Sequence, residues 1–215
     1  MLKKILITSV ITSIFSIGSF ASEEKSNFVP ITSGVKSIEM NLNGESFTLM
    51  RNQTRGNKIS ALYETTNRGK PQPMILAKGI ETVGEVEFIE LMKKAQKDEN
   101  IAIIDSRKPG WFEKLRIPGA LNVPFTDFKN KEEAISAMED EMGVVQKSDG
   151  SLDFTNAKTL ALYCNGYWCG QTPAMIKNAK YSLLKMGYPV SKIKYYRGGM
   201  QAWTSLGFTV VGSGK

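Results

Sequence analysis

Four short apolar-rich runs, Ile101–Asp105, Ala120–Val123, Thr159–Tyr163 and Lys192–Tyr196, recur in the second half of the chain with helical or turn-forming segments between them. Runs of this length whose apolarity is continuous rather than alternating read as strands covered on both faces. Strands that alternate with helices pair in parallel, so the pattern predicts an α/β fold, a central parallel sheet with helices on both faces. In such sheets ligands sit outside the carboxyl ends of the strands. Asp105 and Cys164 both stand at such ends.

The intervening segments have their own signals. Val86, Phe88, Ile89, Leu91, Met92 and Ala95 give one amphipathic helix, and Lys131–Met142, Thr172–Met186 and Met200–Leu206 give three more. Trp111–Leu115 is long enough only for a brief helix. Upstream, Ile38, Met40 and Leu42 alternate with polar residues, Asn43-Gly44 supplies a two-residue turn, and Phe47 and Leu49 resume the alternation. That is a β-hairpin. Gln53–Gln72 carries little periodicity and reads as an irregular connector.

Residues 1–21 read as a cleavable secretory signal. Lys3 and Lys4 precede the apolar stretch Ile5–Phe20, and Ser19-Phe20-Ala21 ends it with a small-x-small site. An uncleaved anchor is the alternative, although the stretch is short for a membrane span. The expected organisation is a signal (1–21), a linker (22–35), a hairpin extension with its connector (36–81), the α/β domain (82–211) and a short tail (212–215). The mature chain is expected to be periplasmic or otherwise exported, with no stable membrane insertion once the signal is removed. Its formal charge falls from +7 to +5 on loss of the two signal lysines, and the remaining lysines are scattered. Nucleic acid is not an expected partner.

The 215 residues include no histidine and only two cysteines, Cys164 and Cys169. The missing imidazole excludes Ser-His and Cys-His catalysis and most zinc sites, so no metal or cofactor is expected and any chemistry should be cysteine chemistry. Cys164 ends an apolar run and is followed by Asn165-Gly166-Tyr167-Trp168-Cys169-Gly170-Gln171-Thr172, a turn that opens into a helix. A thiol there faces the free N–H groups of the helix start, which favour the nucleophilic thiolate. The bland reading of Cys164 is a small buried apolar residue. Cys169 is open to three readings: an idle loop residue, half of a structural disulfide, or a resolving thiol.

Three separated segments resemble the rhodanese-like family. They are Asp105-Ser106-Arg107 with Ile117-Pro118-Gly119-Ala120-Leu121-Asn122-Val123-Pro124; the strand and loop from Leu160 through Cys164; and Gly187-Tyr188-Pro189 with Tyr196-Arg197-Gly198-Gly199-Met200-Gln201-Ala202-Trp203. The resemblance covers roughly residues 82 to 211 and leaves out the hairpin. It implies Cys164 as a catalytic cysteine that takes sulfane sulfur from a small donor, becomes a persulfide, and passes the sulfur to a thiol or other nucleophile, which can be a protein. The substrate-binding loop would be Asn165, Gly166, Tyr167, Trp168, Gly170 and Gln171, whose successive amides make an anion nest. Asp105, Arg107 and Arg197 would support it, Asp105 and Arg107 as a strand-end ion pair and the two arginines as sources of positive potential.

The departures are specific. Leu115-Arg116 stands where the family commonly has Gly-His. Thr172 lies eight positions after Cys164, about two more than is usual in the family, and the loop carries no Arg or Lys. That weakens the case for thiosulfate as donor more than the case for persulfide chemistry. It also argues against the related phosphatases, which close a long loop with Arg. The leading expectation is an exported sulfurtransferase. The rivals are a redox protein using Cys164 and Cys169 and a catalytically silent binding module.

Overall fold

A computed structural model of the chain describes residues 28–54, 60–64 and 70–214. The expected signal (1–21), the start of the expected linker and the connector stretches 55–59 and 65–69 lie outside the described residues, as does Lys215.

The hairpin forms as its sequence requires. Strands β1 (Ser37–Leu42) and β2 (Glu45–Met50) pair antiparallel. Asn43 and Gly44 both take positive φ, 50° and 77°, the left-handed pair that matches strand twist in a two-residue turn. Met40, Leu42 and Leu49 are buried on one side. The hairpin remains a separate two-stranded sheet, so it covers a face of the domain instead of extending its central sheet. The connector contributes one helical turn, α1 (Ala61–Glu64), which carries the fully buried Tyr63.

The α/β domain runs in order through β3 (Glu81–Val83), α2 (Glu85–Ala95), β4 (Ile101–Asp105), α3 (Pro109–Lys114), β5 (Leu121–Asn122) and α4 (Lys131–Met142). A small hairpin follows, β6 (Val145–Gln146) and β7 (Leu152–Asp153). The chain then continues through β8 (Thr159–Tyr163), α5 (Gln171–Pro173), α6 (Leu183–Met186), β9 (Ile193–Tyr196) and α7 (Gly199–Ser205). The five-stranded sheet has the order β3-β9-β8-β4-β5, and every pairing in it is parallel. Strand alternation divides the core in two. Leu160, Leu162, Ala102, Ile104 and Tyr195 face the side packed by α4, while Ala161, Tyr163, Ile103 and Tyr196 face the side packed by α2, α7 and the hairpin. β8 is the middle strand, which puts Cys164 at the centre of the sheet's carboxyl edge.

Several elements differ from the sequence reading. β3 occupies residues 81–83, at the boundary between connector and domain, where the sequence reading places no element; a three-residue edge strand with only Val83 buried carries no readable period. The helix itself starts at Glu85, with the Glu87 carboxylate accepting from Gly84 N–H at 3.1 Å, and Val86 falls on its exposed side. The expected helix from Thr172 to Met186 is broken. After α5 the chain widens into a π turn over Ala174–Asn178, turns extended at Ala179, and restarts at α6. Tyr181 N–H donates to Phe128 O (3.0 Å) and the Ser182 hydroxyl to Lys177 O (3.0 Å), so the backbone groups freed by the break are satisfied elsewhere. The break lets Met175, Ile176 and Leu183 all reach the same core.

Candidate active site

Asp105 ends β4 and Cys164 follows β8, its neighbour in the sheet. Asp105 takes Arg107 in a buried fork, Nε to Oδ1 at 2.8 Å and Nη2 to Oδ2 at 2.6 Å. The remaining guanidinium donors go to Tyr63 OH (2.8 Å), Asn165 Oδ1 (3.2 Å) and Leu115 O (2.6 Å). All five N–H groups are therefore occupied. Burial opposes the Arg107 charge, but the Asp105 carboxylate outweighs it and the guanidinium pKa is raised. With no side-chain exposure, Arg107 offers no donor to a substrate. It reaches the cysteine loop by fixing Asn165, the first residue after Cys164.

The loop is held from below by α7. Met200 N–H donates to Cys164 O (3.0 Å) and Gln201 N–H to Asn165 O (2.9 Å), so the first amides of a helix carry the loop's carbonyls. The approach is close enough to require glycine twice. Gly199 has φ +53°, and a Cβ there would overlap Cys164 O. Gly166 has φ +153°, and a Cβ there would overlap the Gln201 side chain. Within the loop Cys169 N–H donates back to Gly166 O at 2.9 Å, curling the backbone around the sulfur.

Cys164 is buried and Cys169 half-buried, and both are free thiols. As a thiol, Cys164 Sγ donates to Cys169 O at 3.6 Å. Burial by itself raises its pKa, but the Cys169 thiol, the Thr172 hydroxyl and the Thr172 and Gly166 amides all donate to the sulfur and lower it to about 7. Cys169 moves the other way, because its proton is held by the hydrogen bond to Cys164. Thr172 is itself held by Ser106, Oγ to Oγ1 at 2.7 Å.

The rim of the site comes from the connector. Gln72 N–H donates to Tyr167 O (2.7 Å), and Arg197 Nε donates to Gln72 O (2.8 Å) while its guanidinium lies 5.0 Å from the Tyr167 ring centroid. Tyr167 and Trp168 are half-buried and meet edge to face at 6.1 Å, which pins the loop's aromatic rim against the rest of the site. Gly170 is exposed and Gln171 half-buried at the helix start.

With this geometry in place, comparison with known proteins decides the family. The model described as "Rhodanese-like domain" matches residues 88–206, more than half of the chain. The chain belongs to the rhodanese-like family. No curated protein matches its sequence. Similar solved structures include a protein from Bacillus halodurans (20% identity, 62% of this chain and 78% of that one, TM-score 0.43). A rhodanese-related protein from Thermoplasma volcanium is 18% identical over 61% of this chain and 97% of its own, with TM-score 0.39. A thiosulfate sulfurtransferase from Pseudomonas aeruginosa is 16% identical over 62% of this chain and 20% of its own, with TM-score 0.41.

For a rhodanese-like domain, two neighbours of the cysteine loop had no sequence signal. Tyr63 lies 101 positions before Cys164 in an irregular segment, and only the tertiary fold places its hydroxyl against Arg107. Tyr195 sits inside an apolar strand, and its buried hydroxyl has no hydrogen-bond partner among the described residues. Gln171 Oε1 is likewise buried without a partner.

Proposed function

We propose that this protein is an exported sulfurtransferase that carries sulfane sulfur as a Cys164 persulfide. The Cys164 thiolate attacks the outer sulfur of a small donor. The donor's S–S bond breaks, its remainder leaves with the bonding electron pair, and a new S–S bond forms on Cys164. A thiol or other nucleophile then takes the outer sulfur and returns Cys164 as thiolate. Family membership supports the reaction class. The observation that carries the reading is a cysteine at the carboxyl edge of the central strand, wrapped by a loop whose donors hold its pKa near 7. Export rests on the signal pattern of residues 1–21.

The loop itself contributes no positive side chain, and among the described residues nearest to it Arg107 is sealed and Arg197 is engaged by Gln72 and Tyr167. With no Arg or Lys in the loop, a dianion would be neutralised by backbone amides alone, and the site suits better a donor whose reacting group carries at most one charge, such as an organic persulfide. Intact-mass spectrometry tests the proposal. Protein incubated with glutathione persulfide should gain one sulfur, and Cys164→Ser should gain none while melting at the same temperature. Sulfur retained on a folded Cys164→Ser protein would assign the carrier elsewhere.

A further inference from the structure

Tyr195 pairs with Leu162 across β9 and β8, and both side chains lie in the core cluster on the α4 side. Leu162 precedes Cys164 by two residues and Cys164 follows directly on the end of β8, so alternation carried one residue past the strand puts Cys164 and Tyr195 on the same side of the sheet. The Tyr195 side chain is fully buried, yet its hydroxyl has no hydrogen-bond partner among the described residues. Burial first, and then the neighbouring Cys164 and Cys169, raise its pKa, while Arg197 acts in the opposite sense. The group therefore stays protonated and remains a donor. A buried hydroxyl without a partner is unfavourable, and phenylalanine would fill the same space without that penalty. No group among the described residues accepts from it, so a buried donor with two cysteines and a guanidinium as its charged neighbours is open to an anion that lies one bond beyond Cys164 Sγ.

We propose that the Tyr195 hydroxyl is a catalytic residue, donating a hydrogen bond to the outer sulfur of a Cys164 persulfide. This rests on the reading of Cys164 as a persulfide carrier. In the free protein the negative charge sits on Cys164 Sγ, where the loop amides, Cys169 and Thr172 already converge. When Cys164 takes sulfur from a persulfide donor, the donor's thiolate leaves and the charge moves to the outer sulfur, one bond beyond Sγ. Tyr195 donates to that sulfur and keeps its own proton. The bond exists only in the loaded state, so it favours loading over the free thiolate.

The test measures the loading equilibrium with glutathione persulfide as donor and glutathione as the competing product, read by intact mass. Tyr195→Phe should still load one sulfur, melt no lower than the parent, and show a loading constant about tenfold smaller, as expected for one lost bond to a charged acceptor. Replacing Tyr195 by 3-fluorotyrosine makes a more acidic, stronger donor and should shift the constant the other way. If Tyr195→Phe does not fold, the fluorinated protein decides alone. Equal constants in the parent and a folded variant would overturn the role of Tyr195 and leave the persulfide reading standing. A parent protein that gains no sulfur would overturn both.

Discussion

At Cys164 burial and hydrogen bonding act in opposite directions, and the donors prevail, bringing the pKa from 9.0 to about 7. Alkylation by iodoacetamide is therefore expected to rise with pH through an inflection near 7, followed by mass spectrometry of the Cys164 peptide. The folded state holds this proton less tightly than the unfolded chain. The resulting stabilisation is complete above the unfolded pKa and is lost as pH falls through about 7. Thr172→Val keeps the shape and removes one donor, and it should move the inflection up by about one unit. An unmoved inflection would leave the thiolate to the amides and Cys169. The Thr172 proton has a competitor in Ser106, whose hydroxyl also lies 2.9 Å from Tyr163 O. When Thr172 turns to the thiolate, Ser106 can turn to Thr172, because Tyr163 O keeps the Ser106 N–H at 3.0 Å. Away from the sulfur, Asp105→Asn leaves the Arg107 charge buried without its counter-ion. That should lower stability by about 3 kcal/mol, measured from the urea midpoint.

At the scale of elements, the cysteine loop is shaped less by its own residues than by α7. Gly199→Ala would force a side chain into a left-handed backbone and against Cys164 O. The loop carbonyls would then separate from the first amides of α7. The expected result is a slower-alkylating Cys164 with its inflection moved upward, together with a lower melting temperature. Normal Cys164 reactivity in that variant would mean that α7 does not set the loop. The same glycine shows how much of the fold was legible. The hairpin, β4, α4 and β8 follow from period and turn residues, and the structure adds the caps of α4, with Asn130 accepting from the Glu132 and Glu133 amides at its start and left-handed Gly143 ending it. These are local patterns within one element. The break after Asn178 was not legible, because the acceptor that draws the chain away is Phe128 O, a backbone group far along the sequence. The edge strand β3 was missed for a related reason: its partner, not its composition, makes it a strand.

At the scale of the molecule, the N-terminal extension is built into the domain and its site. Met40, Leu42, Leu49 and Tyr63 share a core with Phe88, Tyr163 and Trp203, and Glu45 pairs with Arg116. Each buried side chain of this kind contributes about 1.5–3 kcal/mol, a large part of the 5–15 kcal/mol that holds an ordinary domain together. A protein lacking residues 1–80 is therefore expected to lose its cooperative thermal transition by circular dichroism. An unchanged melting temperature would make the extension a mere appendage. For the full chain expressed in a secreting bacterium, N-terminal sequencing is expected to begin at or near Ser22. The sequence by itself determined the parallel α/β domain, the cysteine at its carboxyl edge and the strand-end ion pair, because apolar period, turn residues and strand ends are properties of adjacent positions. Only the tertiary structure decided that Arg107 is closed to substrate, that the Tyr63 hydroxyl accepts from Arg107 and that the Tyr195 hydroxyl is buried without a partner among the described residues. Those depend on distances between residues remote in the chain, and no local pattern of side chains encodes such distances.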